Sequence, residues 1–350
     1  MDAAVRAADV SEQPKLVIGA NGFLGSHVTR QLVESGTEVR AMVRGGSNTT
    51  GIDDLALQRF HGDVFDTETL REAMADCDVV YYCVVDTRAW LRDPAPLFRT
   101  NVEGTRNVLD VARNADLKRF VFTSSYVTVG RRRGHRATED DVLKWRRSLG
   151  QYVLSRLQAE QLVLRHAAEY GLPAVAMCVS TTYGSGDWGQ TPHGAMIAGA
   201  AFGKVPFVMD GIRLEVVGVD DAARAMILAA ERGRNGERYI ISEKMLTNGA
   251  IVRIAAEEAG APVPQRSVGV PALYAMAAMG SLKARLRGTN EHLNLPSVRL
   301  MRAESELDHG KATRELGWEP QPVEDSIRAA ARFWVRLREA TRKAKAARAD

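Results

Sequence analysis

The chain is poor in cysteine, in long apolar runs and in net charge, and each shortage excludes a class of protein. Three cysteines, Cys77, Cys83 and Cys178, are an odd number, and Cys83 and Cys178 sit inside apolar runs. They read as small buried hydrophobes in a reducing compartment, not as a disulfide frame or metal site. No apolar stretch reaches the ~18 uninterrupted residues of a membrane span. Lys and Arg number 47 against 43 Asp and Glu, a balance of +4, which is too even to argue for nucleic acid. Residues 1–13 carry Asp2, Asp9 and Glu12 with no apolar block. They are expected to form a disordered tail and not a secretory signal, so a cytoplasmic protein is expected. Internal repeats and low-complexity blocks are also missing.

What is present is the composition of a globular protein: 45% hydrophobic and 26% charged residues in a chain of 350. At ~100–200 residues per domain this allows two domains or one large α/β unit. Short β-branched runs alternate with helical stretches, the pattern of parallel strands joined by crossover helices. Strands are expected at 15–19, 38–43, 59–62, 78–85, 119–123 and 174–179, and helices at 22–35, 94–114 and 151–170. Residues 78–85 are apolar throughout, as in a strand buried on both faces. Gly171 and Pro173 end the long third helix. The fold class is α/β, a doubly wound parallel sheet of the Rossmann kind with a smaller, discontinuous substrate lobe. The sheet domain is expected over 14–182 and 216–245, with Val216–Val219 returning to the main sheet. The lobe takes 183–215 and 246–335, and 336–350 form a basic tail.

Gly19-Ala20-Asn21-Gly22-Phe23-Leu24-Gly25 follows the first strand and opens the first helix. Glycines at this spacing permit a tight turn, let backbone N–H groups approach a pyrophosphate, and let the helix pack on the strand. The helix N-terminus adds unpaired donors and a positive dipole end. At the end of the second strand an NAD site usually carries a carboxylate for the ribose hydroxyls. Here Val43 is followed by Arg44, and a guanidinium suits a 2′-phosphate. NADP(H) is therefore favoured over NAD(H). Asp63 and Val64, after the third strand, are placed to meet the adenine ring; a loop-capping aspartate is the alternative reading of Asp63.

Thr123-Ser124-Ser125 ends the fifth strand, and Tyr152 and Arg156, at i and i+4, share a face of the long helix. With these residues the chain resembles an extended short-chain dehydrogenase/reductase. The dihydroflavonol-reductase-like branch, with its 3β-hydroxysteroid dehydrogenases and hopanoid-associated epimerase-like proteins, is the nearest pattern. Further matching stretches are His61-Gly62-Asp63, Asn101-Val102-Glu103-Gly104-Thr105, Ser180-Thr181 with Gly184, Val219-Asp220-Asp221 and Leu316-Gly317-Trp318-Glu319-Pro320. The resemblance spans about residues 15–335. It implies a bound nicotinamide nucleotide and a Ser–Tyr–Lys type of site. Ser125 would bond the substrate oxygen, Tyr152 would transfer the proton, and Ser180 would lie near the nicotinamide. Asn101 would stand on the active-site side of the helix after the fourth strand. Hydride attack on a carbonyl builds negative charge on oxygen, which a phenol and a hydroxyl stabilise. A phenol with the ordinary pKa of ~10 is a poor base at neutral pH, and a neighbouring cation favours its ionised form.

Two positions depart from the family pattern. Arg156 stands where the family has lysine; it supplies a cation but, being unable to deprotonate, no proton relay. Cys178-Val179 replaces a polar residue and proline. Arg131–Arg136 and Lys144–Arg147 are expected to flank the site mouth, either as a rim for an anionic substrate or as solvated loops. Tyr126, Trp90, Trp188, His193 and Met196 are candidates for an apolar pocket. Residues 270–282 are apolar and expected to form a core or cap helix, with its methionines suiting an adaptable lid. His193 has no His or Cys at ligand spacing, so no metal is expected.

The leading reading is an NADP(H)-dependent carbonyl reductase or alcohol dehydrogenase for a bulky, largely apolar, steroid- or terpenoid-like small molecule. A nucleotide-sugar epimerase or dehydratase is one alternative, and a non-catalytic NADP-binding module is another. No integral membrane segment is expected, and a homodimer is a family expectation.

Overall fold

The computed structural model describes residues 13–130, 134–143, 150–302 and 305–347. The first half alternates strand and helix. β1 (Lys15–Ile18) leads into α1 (Phe23–Glu34), β2 (Val39–Val43) and β3 (Gln58–His61). Then come α2 (Thr67–Met74) and β4 (Val79–Tyr82). α3 (Ala95–Phe98) passes through a π-turn at Arg99–Gly104 into α4 (Thr105–Ala112), where a single unbroken helix was expected. β5 (Arg119–Ser125), α5 (Gln151–Tyr170) and β6 (Ala174–Val179) complete this half. α5 ends as expected, on Gly171 in the left-handed region with φ +70°.

In the second half β7 (Thr181–Tyr183), α6 (Pro192–Ala201) and β8 (Val208–Met209) precede β9 (Arg213–Gly218) and α7 (Val219–Arg232). β10 (Arg238–Ile241), β11 (Lys244–Thr247), α8 (Asn248–Glu258), β12 (Ser267–Val268) and α9 (Val270–Arg287) follow. α10 (Leu295–Met301), α11 (Gly310–Leu316) and α12 (Val323–Ala346) close the chain, so the expected basic tail begins as part of a helix.

Seven parallel strands run in the order β10-β6-β5-β4-β1-β2-β3. Both faces of this sheet are covered, which its apolar strands require. Val17, Tyr81, Val121 and Met177 pack on one side with α1, α7 and Trp318. Leu16, Ile18, Tyr82, Phe120 and Phe122 pack on the other with α2, α4 and α5. A third cluster joins α6, α8 and α12 over Leu214 and Val216.

Val216–Val219 does not return to the main sheet. β9 pairs with β7 and β11 in a separate three-stranded sheet, and the main sheet gains β10 instead. The run is buried almost throughout, so its polarity carries no mark of which sheet it joins. β4 stops at Tyr82, three residues earlier than expected. Cys83 donates its N–H to the Ile18 carbonyl, and the chain then gives way to Gly19, whose added Cβ would meet Val84 at 2.9 Å. The outer edge of β10 is covered by the segment after β5: Glu139 accepts the Ile240 N–H at 2.8 Å.

Candidate functional site

The glycine turn is built as its spacing requires. Gly19 has φ +82°, a conformation disfavoured for residues with a Cβ. A Cβ on Gly25 would lie 2.2 Å from the Gly19 carbonyl, so the turn and helix meet only through glycine. Gly22 is the N-cap of α1 and no side chain caps that helix, which leaves first-turn N–H groups for an anion. Asn21 donates to the Asn48 carbonyl at 3.0 Å and ties the turn to the loop after β2. Phe23 sets its ring edge against His27, and Leu24 packs on the core.

Where the adenosine half was expected, Arg44 is exposed at the end of β2. Asp86 lies nearby and is gripped by Arg88 through two bonds of 2.9 and 2.6 Å. Burial pushes the Asp86 carboxyl up, but its bonds to Arg88 and the Arg88 and Arg44 charges hold it below its ordinary range. Asp63 accepts the Phe65 N–H at 3.2 Å, which is the loop-capping arrangement. Val64 is buried against Gly104, where a Cβ would approach its methyl to 2.7 Å.

Ser125 closes β5 as a buried residue, 8% exposed, and its Oγ accepts weakly from Val127 N at 3.5 Å. Tyr152 is half-buried in the first turn of α5, packed on the cluster of Leu143, Val153 and Leu157, as are Val127 and Leu300. One turn on, Arg156 is wholly buried. Its Nη2 donates to the Thr123 carbonyl, and its guanidinium lies 5.3 Å from the centre of the Phe122 ring. Nε and Nη1 have no hydrogen-bond partner among the described residues, and neither has Ser180 Oγ. Burial pulls the Arg156 pKa down, and the neighbouring Tyr152 opposes that shift. Buried N–H groups rarely go unpaired without a reason.

Asn101, on the π-turn, is fully buried. It accepts the Asp86 N–H at 2.8 Å and donates to the Asp86 carbonyl and to Ser155 Oγ, each at 3.0 Å. It pins α5 to the loop after β4. Sequence reasoning missed Glu160, one further turn along α5, although i+4 from Arg156 is the spacing that finds it. Its carboxylate accepts from Ser124 Oγ, from Thr128 Oγ at 2.8 Å and from Cys178 Sγ at 3.4 Å, and pairs with Arg238 at 3.1 Å. Cys178 is therefore more than a hydrophobe; burial and then Glu160 push its thiol up to about 12. All three cysteines are free.

The pocket candidates divide: Trp188, Met196 and His193 gather at the lobe cluster around Tyr183, whereas Trp90 and Tyr126 lie elsewhere. Trp90 stacks on His292 at 4.4 Å, whereas Trp188 meets Phe333 at 4.9 Å and His193 meets Tyr183 at 6.2 Å, with Met196 in the same lobe cluster. Arg131–Arg133 and Lys144–Arg147 lie outside the described residues. Arg136 lines a cleft of about 540 Å³ with His135, Arg213, Met301, Arg302 and Glu306. Beside it Glu215 is buried, accepting from Ser242 Oγ and from the Leu307 N–H. Burial pushes its carboxyl up from 4.5 to about 7, against those two bonds. The folded protein thus keeps a proton that the unfolded chain releases between those values, and stability falls as pH rises through that window. Chemical denaturation at pH 5 and pH 8 will show this loss, at most about 3 kcal/mol for this one group. Glu215→Gln will remove most of it; an equal pH slope in the variant would clear Glu215 of the effect.

The residues present fit a dinucleotide: a glycine cradle that a Cβ would fill, an uncapped helix start, and unpartnered buried donors on Arg156 and Ser180. Comparison with known proteins agrees. Residues 15–242 match the model of the NAD dependent epimerase/dehydratase family. A 4-hydroxy-2-methyl-3-oxo-4-farnesyl-3,4-dihydroquinoline-1-oxide ketoreductase of Stigmatella aurantiaca is 31% identical, over 86% of this chain and 90% of its own. Sterol demethylase protein B of Methylococcus capsulatus is 28% identical, over 92% of this chain and 98% of its own. The crystal structure of gox2253 superposes with a TM-score of 0.82 at 33% identity, covering 93% of this chain and 98% of that one. No helix among the described residues is long and apolar enough to cross a membrane. The glycine turn, the doubly wound sheet and these matches make the chain a member of the NAD dependent epimerase/dehydratase family, the extended short-chain dehydrogenases/reductases.

Proposed function

We propose that the protein is an NADP(H)-dependent carbonyl reductase, or in reverse an alcohol dehydrogenase, for a bulky and largely apolar substrate. The observation that carries this reading is Arg156: a fully buried cation with two unpartnered nitrogens, one helical turn from Tyr152 and under the strand that ends in Ser125. A guanidinium left in this state is matched by an acceptor that arrives with a ligand, such as a ribose hydroxyl.

The nicotinamide nucleotide supplies the hydride when bound. Tyr152 gives its phenolic proton to the carbonyl oxygen as the carbonyl carbon is reduced, so that the C=O bond becomes an alcohol C–O bond. Ser125 donates to the same oxygen and stabilises its growing charge. Solvent then returns a proton to Tyr152, and Arg156, which keeps its own protons, takes no part in proton transfer itself. Asn101 and Ser155 hold α5 in register beneath these groups. The relatives named for a farnesylated quinoline and for a sterol support the apolar substrate class.

Melting curves with NADPH and NADH, followed by absorbance assays across steroid-like and terpenoid ketones, test the reading. A large shift with NADPH and oxidation of NADPH by at least one ketone are expected; cofactor binding without turnover on any ketone would leave only a nucleotide-binding module. Arg44→Glu will weaken NADPH binding by roughly 10–100-fold, the worth of a charge-assisted bond, while NADH binding holds or improves. Equal NADPH affinity in that variant would remove Arg44 from the 2′-phosphate.

The cleft lined by Arg136 and Arg302, with Arg213 paired to Glu306 at 2.6 Å, favours a second reading, a nucleotide-sugar epimerase or dehydratase, because guanidinium groups suit a diphosphate. Stabilisation by a nucleoside diphosphate sugar with no ketone turnover would select it.

A further inference from the structure

Three of the large apolar side chains most open to solvent lie on one helix. Met279, Leu282 and Leu286 of α9 are 65%, 57% and 76% exposed. With Pro271, Ala272, Ala275 and Ala278, also exposed, they fall at helical spacing and form one stripe. α9 buries Leu273, Ala277 and Ala284, which at about 100° per residue lie on the opposite side of the helix. The apolar stripe is thus a second face, one that the fold of the described residues leaves open.

The charge around the stripe says what it meets. α9 contains no Asp or Glu. By the same helical spacing Arg285 flanks the stripe on one side and Lys283, with Arg287 beyond it, on the other; all three are exposed. Lys283 pairs with Glu291 at 2.8 Å, while Arg285 and Arg287 make no ion pair among the described residues. An apolar stripe bordered by cations on both sides matches an anionic bilayer surface, with acyl chains below and phosphates at the border. A second copy of the same face would set cations against cations.

The helix is also mounted on the site. A Cβ on Gly280 would fall 2.1 Å from the Leu293 carbonyl, so α9 presses directly on the backbone leading into α10. In α10, Leu300 packs on the cluster of Leu143, Val153 and Leu157 on which Tyr152 also packs. Asn294, at the start of α10, donates to the Trp90 carbonyl at 3.2 Å. α9 is thereby joined through α10 to the cluster that holds Tyr152.

We infer that the α9 face docks the protein on anionic membrane surfaces, so that it collects an apolar substrate from the bilayer. The second half of this statement rests on the reductase reading; the docking itself does not.

The test is sedimentation of the full chain with vesicles of phosphatidylglycerol and phosphatidylcholine, against vesicles of phosphatidylcholine alone. Binding to the anionic vesicles and little to the neutral ones is expected, falling as salt shortens the ~8 Å screening length of 0.15 M buffer. Leu282→Glu with Leu286→Glu will abolish sedimentation, and Arg285→Gln with Arg287→Gln will weaken it by at least roughly tenfold, at about fivefold per cation. Both pairs are solvent-exposed, so melting temperature and turnover of a water-soluble ketone will stay at the wild-type level. Failure to sediment with anionic vesicles would overturn the docking, as would equal binding to neutral ones. Light scattering that shows a dimer converted to monomer by Leu282→Glu with Leu286→Glu would assign the face to a second copy instead. Sedimentation without any ketone turnover would leave the docking standing and remove the reductase reading.

Discussion

Tyr152→Phe will lower turnover of any accepted ketone by ~10²–10⁴-fold, the usual worth of a positioned general acid, and will leave NADPH affinity within a few fold. The exchange is narrow. The ring of Tyr152 packs on the cluster of Leu143, Val153 and Leu157, and phenylalanine keeps that packing. α5 keeps its register, because Asn101 and Ser155 hold it through side chains the substitution does not touch, and the Tyr152 carbonyl still accepts Ser155 Oγ at 2.8 Å. What disappears is the phenolic proton that the proposed reaction transfers. Steady-state rates followed at the NADPH absorbance, with a separate binding titration, divide the effect into chemistry and affinity. A loss confined to kcat is expected. Turnover equal to the wild type would take Tyr152 out of the reaction, and weak NADPH binding with normal kcat would make it a cofactor contact only.

Much of this site was readable without coordinates, for reasons that are local. The glycine turn declares itself because Gly19 needs a positive φ and Gly25 needs the space of a missing Cβ. α5 has clear bounds because Gly171 and Pro173 stop it, and Tyr152 and Arg156 share a face by helical period alone. The parallel sheet follows from strands such as β4, whose four residues are all buried. Where the reading failed, the deciding contact was distant in sequence. β9 looks like a central strand, yet β7 and β11 claim it, and β10 takes the place beside β6. α2 was overlooked; it is eight residues long, although Asp66 caps it by accepting the Thr69 N–H. The Trp90 and Trp188 side chains looked alike as pocket candidates, but one is held by His292 and the other by Phe333. The exposure of Leu282 and Leu286 was equally hidden, since an apolar helix with two apolar faces reads as a core helix.

Arg156→Met is expected to give a protein that is as stable as the wild type or more so without cofactor, yet binds NADPH at least tenfold more weakly and turns over poorly. The opposite signs follow from one side chain. Arg156 is wholly buried, and the Nε and Nη1 groups have no partner among the described residues. An unpaired buried polar group costs ~1–3 kcal/mol, more when it is charged. Methionine has a similar length, no charge and good packing against Phe122. Exchanging buried charge for a well-packed apolar side chain is often neutral or stabilising by about 1–4 kcal/mol. The lost bond to the Thr123 carbonyl offsets part of that gain. On the proposed reading bound cofactor reverses the balance by supplying acceptors to the two nitrogens, so the melting shift on adding NADPH is expected to be smaller in the variant. Arg156→Lys restores a cation at the position where the family carries lysine, and turnover is expected to stay within about tenfold of the wild type. Calorimetry of the three proteins with and without NADPH decides the matter. An Arg156→Met variant that melts lower without cofactor and shifts as far as the wild type with it would make Arg156 a strut between α5 and β5, and the buried cation would then have no share in binding or chemistry.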